Sequence, residues 1–140
     1  MTGAIELEPG KLNGKILLNL DTEDDDELTI GCAGGIDITA RSAYDQEATP
    51  DGAVGKRIVL KGMTGGHSGM DIHKGRGNSN KLMNRVLKSL QQFNPRIADL
   101  EGGGLRNAIP RESFCVLAVP ASHEVDLEAQ VNKMNDELTL

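Results

Sequence analysis

The sequence predicts an α+β domain: an antiparallel sheet with two helices on one face, in a split βαβ or ferredoxin-like arrangement truncated before its last strand. Three observations carry this expectation. Residues 78–93 place Leu82, Met83, Val86, Leu87, Leu90 and Phe93 at three- and four-residue spacing, with Lys81, Arg85 and Lys88 opposite, the pattern of an amphipathic helix. Short apolar runs at 57–61, 96–100 and 113–119 read as strands, and a polar-rich stretch from Ser122 through Leu138 reads as a second helix. The order strand, helix, strand, strand, helix calls for a further strand, and the chain stops at Leu140 without one.

Taken in order, residues 15–20 (Lys-Ile-Leu-Leu-Asn-Leu) form a nearly continuous apolar run, as a strand buried on both faces would. Leu28-Thr29-Ile30 and Ile36-Asp37-Ile38-Thr39-Ala40 alternate as half-exposed strands, with Gly34-Gly35 allowing a bend. Turn chemistry at Thr49-Pro50-Asp51-Gly52 then predicts an antiparallel hairpin spanning 36–61. A glycine-rich segment covers 62–77. The first helix stops at Asn94-Pro95, because proline lacks an amide hydrogen and restricts the residue before it. Gly102-Gly103-Gly104 ends the next strand, and Ser122 is a candidate N-cap for the second helix.

At 140 residues the length fits one domain with a packed core. Aromatic residues are scarce (Tyr44, Phe93 and Phe114, no Trp), so that core must be aliphatic. The net charge of -6 comes from six carboxylates between Asp21 and Glu27, an acidic cluster that reads as a solvated turn and a domain boundary. Residues 56–88 are the reverse, with eight basic side chains against Asp71 alone, which permits an anionic partner. Cys32 and Cys115 have neither zinc-ligand nor disulfide-framework spacing and read as buried thiols. Without a signal-like N-terminus or a run of ~20 apolar residues, a soluble cytoplasmic protein is expected, with no membrane and no nucleic-acid partner.

Chemistry concentrates in two segments. Between Gly62 and Gly77 lie six glycines with His67 and His73, where close backbone approach and imidazoles permit ligand binding; a flexible connection remains the alternative. Neither a P-loop nor GxGxxG fits, and His67, Asp71 and His73 match neither HExxH nor a Cys-His finger. The acidic cluster fails the EF-hand pattern, since the sixth and twelfth positions from Asp21 are Asp26 and Cys32. The second segment sets Arg106, Asn107 and Arg111 around a glycine turn, two guanidinium groups and an amide suited to a carboxylate, although solvated arginines fit equally.

Leu18-Asn19-Leu20-Asp21-Thr22-Glu23, Gly31-Cys32-Ala33-Gly34-Gly35, Gly65-Gly66-His67-Ser68-Gly69-Met70-Asp71-Ile72-His73 and Arg106-Asn107-Ala108-Ile109-Pro110-Arg111-Glu112 together resemble the aminoacyl-histidine dipeptidases, in order and spacing and nearly end to end. That resemblance implies a two-part enzyme: a catalytic α/β domain holding two zinc ions and an inserted lid that also mediates homodimer contacts. Residues 1–26 correspond to a remnant of the catalytic domain, and 27–140 to the lid, incomplete at its C-terminus. By the same resemblance Asp21 is a zinc ligand, His67 a lid histidine that stabilises the oxyanion, and Asn107 a substrate contact. Several relatives place a carboxylate-binding arginine at the end of the following strand, where this chain has Val119-Pro120, leaving Arg106 and Arg111 as substitutes.

The paired glutamates, the His-x-Asp pair and the C-terminal histidine of the family have no counterpart. The expectation is therefore a fragment of a metallodipeptidase for Xaa-His peptides, binding no zinc and inactive alone. The rival is a non-catalytic binding or oligomerisation module whose basic face meets an acidic partner; a phosphate-binding loop at 62–77 is a third reading.

Overall fold

A computed structural model describes residues 6–18, 25–31 and 34–138, and divides the chain into residues 1–36 and 37–140. In the second unit the main elements are β1 (Ala53–Leu60), β2 (Gly66–His67), α1 (Ser79–Ser89), β3 (Arg96–Gly102), β4 (Ala108–Ile109), β5 (Ser113–Pro120) and α2 (Glu124–Leu138).

Alternation builds the main sheet. In β5, Ser113, Cys115, Leu117 and Val119 are buried, and the residues between them are half-buried, as in a central strand covered on one face. It pairs antiparallel with β1, from Ala53 opposite Pro120 to Leu60 opposite Ser113, and with β3 on its other side, giving the order β1-β5-β3. A register shift interrupts the β3 pairing between Ile97 and Asp99. Inserting the last strand between the first two is the split βαβ arrangement expected from the sequence.

Both helices pack on the inward face. Met83, Val86 and Leu90 from the first helical segment, and Leu127 from α2, form one cluster with Ile58, Leu60, Cys115, Leu117 and Val119. Leu82, Leu87 and Phe93 pack against it, so every apolar position that predicted the first helix faces this core. Asn78 caps α1 by accepting from the Lys81 amide at 3.1 Å, satisfying one of the donors a helix start leaves open. On the opposite face of the sheet the Arg57 guanidinium lies 5.3 Å from the centre of the Phe114 ring. Lys56 on β1 ties α2 to the sheet through Glu124 and through Glu128 at 2.7 Å.

Several expectations are corrected. Residues 28–30 and 36–40 form no strand, and β1 takes β5 as its partner, so the 36–61 hairpin does not exist. Ile30, Ile36 and Ile38 alternate with polar residues but lie in irregular chain with exposed side chains, and periodicity alone does not separate such a stretch from a strand. Residues 15–18 carry no strand, while Asn19 and Leu20 lie outside the described residues. Ser122 makes no cap; it sits in a 3-10 turn, Ala121–His123, that leads into α2. No helix among the described residues is long and apolar enough to cross a membrane.

Candidate functional site

The glycine-rich segment is ordered by pairing with the second glycine segment. β2 and β4 form a short antiparallel ladder, with Gly66 opposite Ile109 and His67 opposite Ala108. The Ser68 amide donates to the Asn107 carbonyl at 2.8 Å, so His67 on β2 and Asn107 in the turn just before β4, both exposed, lie near one another. Ile109 is buried, and the Pro110 carbonyl accepts from the Ser79 amide at 3.1 Å, which fastens the ladder to the start of α1.

Glycine is required at two positions. Gly65 (φ +69) is buried, and a Cβ there would come within 2.2 Å of Arg111 Cγ. At Gly66 (φ +146) a Cβ would come within 2.2 Å of Arg76 Nη1 and 2.5 Å of Asp71 Oδ2. Left-handed backbone and close approach of side chains both exclude a larger residue.

Around His67 the chain makes a tight turn. The Asp71 amide donates to the His67 carbonyl at 3.0 Å, and the Asp71 carboxylate accepts from the His67 amide at 2.8 Å. Lys74 Nζ donates to Asp71 Oδ1 at 2.8 Å, Arg76 Nη1 lies 3.1 Å from Oδ2, and Arg76 also donates to the Gly65 carbonyl at 2.6 Å. The Lys74 hydrogen bond and then the His67 amide lower the Asp71 pKa to about 2, against an opposing effect of burial, with the nearby charges of Arg76 and Lys74 adding least.

The other candidates fall as follows. Arg106 is exposed and engages Asp37 at 3.4 Å and Thr39 Oγ1 at 3.4 Å, while the Arg111 stem lies against Gly65, two residues before His67. Asp21 lies outside the described residues. His73 is exposed in a 3-10 turn, Ile72–Lys74. Among the described residues no group of three or more histidines, cysteines, aspartates or glutamates is placed to hold a metal ion, and His67, Asp71 and His73 do not form one. A hollow of about 510 Å³ beside Gly52, Arg96 and Pro120 includes none of these candidates. Sequence reasoning missed the ordering role of Asp71 and Arg76, although Asp71 stood out as the one acid in the basic span 56–88.

Comparison with known proteins gives this geometry its context. The chain is 45% identical over 139 residues to the cytosol non-specific dipeptidase of Escherichia coli (strain K12), covering 99% of this chain and 29% of that protein. It superposes with a TM-score of 0.73 and 46% identity on the aminoacylhistidine dipeptidase of Vibrio alginolyticus, covering 99% of this chain and 28% of that one. The chain thus spans under a third of the length of either relative. The model of the peptidase dimerisation domain matches residues 58–139, the stretch that holds most of the main sheet, both helices and the β2–β4 ladder. With more than half of its length matched, the chain belongs to the peptidase dimerisation domain family.

Proposed function

We propose that this chain is the lid and dimerisation part of a cytoplasmic zinc dipeptidase that cleaves Xaa-His dipeptides, with His67 stabilising the oxyanion and Asn107 contacting the substrate. The observation that carries this reading is the β2–β4 ladder, which brings His67 near Asn107 on an exposed rim fastened to the start of α1. A positioned donor aimed at developing charge accelerates acyl transfer far more than it would in water, because its dipole is already oriented when the charge forms. The names of both relatives support peptide hydrolysis, that of the Vibrio alginolyticus protein a histidine-containing substrate and that of the Escherichia coli protein a cytosolic location, and the family description supports a homodimer. Arg111, close to the ladder, is the better candidate for the substrate carboxylate; Arg106 is already engaged by Asp37 and Thr39. Asp21 is proposed as one zinc ligand.

The test is His67→Ala in the full-length dipeptidase, assayed on Xaa-His dipeptides against dipeptides with other C-terminal residues. A fall in kcat of roughly 10²–10³-fold is expected, with KM little changed; an unaltered kcat would remove His67 from the chemistry. Equal turnover of both peptide classes would remove the Xaa-His preference. The rival reading, a basic face for an acidic partner, is weakened by internal pairing: Lys56, Lys74 and Arg76 already face Glu124, Glu128 and Asp71.

A further inference from the structure

His67 is held by its own backbone in an unusual way. Its Nδ1 lies 3.1 Å from the Gly69 amide nitrogen and 3.2 Å from that of Met70, and both amides donate to it. A ring nitrogen that accepts hydrogen bonds carries no proton, so a neutral imidazole in this arrangement bears its hydrogen on Nε2. A neutral ring is thereby a donor at Nε2, the nitrogen left for a partner outside the turn.

The two amides reach Nδ1 only while residues 67–71 stay folded back, and the Asp71 side chain is what fastens that fold. One carboxylate oxygen takes the His67 amide and faces Arg76, while the other takes Lys74; Arg76 in turn holds the Gly65 carbonyl. A single acid therefore joins both ends of the turn to the segment before it and the segment after it.

We propose that Asp71 is a positioning residue: it holds the 67–71 turn closed so that the Gly69 and Met70 amides fix His67 as the Nε2-protonated tautomer, a neutral donor to the reacting oxygen. This rests on the reading that His67 acts on the oxyanion, but the tautomer itself does not. The low pKa of Asp71 agrees with the role, because the carboxylate stays ionised and able to accept at every pH at which a histidine is neutral. An amide at this position has one acceptor oxygen instead of two and adds donors facing Lys74 and Arg76, so Asp71→Asn undoes the arrangement with almost no change of shape.

The test has two arms. In the first, long-range ¹⁵N–¹H spectra of the histidine-labelled chain at neutral pH report which ring nitrogen carries the proton, with His67→Ala identifying the signal. A single Nε2-protonated form is expected for His67, giving way to a mixture of tautomers in Asp71→Asn. A protonated Nδ1 or a mixture in the unaltered chain would overturn the proposal whatever the activity. In the second arm, Asp71→Asn in the full-length dipeptidase is expected to lower kcat roughly ten- to hundredfold with KM nearly constant. Asp71→Glu should recover part of that loss, and Asp71→Asn should add nothing to His67→Ala, since it acts through the same ring. If Asp71→Asn spectra keep the single tautomer, or the two substitutions multiply, the positioning role is wrong. If His67→Ala leaves kcat intact while the tautomer changes as expected, the oxyanion reading fails and the positioning of the ring stands.

Discussion

In the body of the molecule, Leu90, Leu117 and Val119 are wholly excluded from water, and order comes from volume filled between a sheet and two helices. On the rim, residues 67–70 are all exposed, and order comes from directed bonds to the Asp71 carboxylate, the Asn107 carbonyl and the His67 ring. Packing of the first kind tolerates exchange of one aliphatic side chain for another of similar size, because dispersion and apolar burial have no direction. Bonding of the second kind depends on which atom is donor and which acceptor, so even an isosteric replacement disrupts it. The body therefore tolerates exchange of similar aliphatic side chains, whereas the rim keeps its geometry only while each donor and acceptor stays in place.

The comparison is broken most forcefully from the body side. Leu117→Ala, at the centre of the core, is expected to cost about 3 kcal/mol, read as a lowered midpoint in thermal or urea denaturation. A cost below about 1 kcal/mol would mean that the core collapses around the gap. Gly66→Ala probes the rim: the added Cβ drives into Arg76 and Asp71 and strains a positive φ, at about 1–3 kcal/mol. Hydrogen exchange should show the Ser68 and Asp71 amides losing protection while those of β5 keep theirs; equal loss in both would unite the two regions. Asn78→Ala removes a real cap and is expected to cost about 1 kcal/mol, whereas Ser122→Ala should stay within about 0.5 kcal/mol because Ser122 caps nothing.

Titration separates the regions more gently. Asp71 has a folded pKa depressed to about 2 from an ordinary 3.8, so its contribution is complete above 3.8 and is lost as pH falls through about 2. Lys56, raised above 10.5 first by its hydrogen bonds to Glu124 and Glu128, contributes fully below 10.5 and loses that contribution as pH rises through its higher folded value. Chemical shifts of the rim followed in acid and of the β1–α2 junction followed in base should respond separately; a joint response would contradict this division.

How legible each part was follows the same division. The first helix and the strand β5 could be read because apolar spacing is imposed by the core they face, and Leu82 through Phe93 reported it directly; β3 alternates as well, although all of its residues are exposed. Ile36 and Ile38 misled, since an alternating sequence without a pairing partner forms no strand. The β2–β4 ladder is two residues long on each side and joins segments 41 positions apart, so no local pattern announces it. Asp71 carried a signal in charge alone: one acid among eight basic residues is poised to gather several of them. The resemblance singled out His67 and Asn107 separately; that they lie near one another follows from the ladder and its Ser68–Asn107 hydrogen bond.

The central position of β5 has a consequence for how the chain acquires its structure. Both β1 and β3 pair with β5 and not with each other, yet β5 is the last of the three to leave the ribosome. Until Ser113 to Pro120 emerge, the two earlier strands have no sheet partner. Ladder formation must then close a loop of more than fifty residues between Leu60 and Ser113, a slow step of high contact order. During synthesis that interval is when these strand edges are open to pairing with other chains, and the arrival of one short segment ends it.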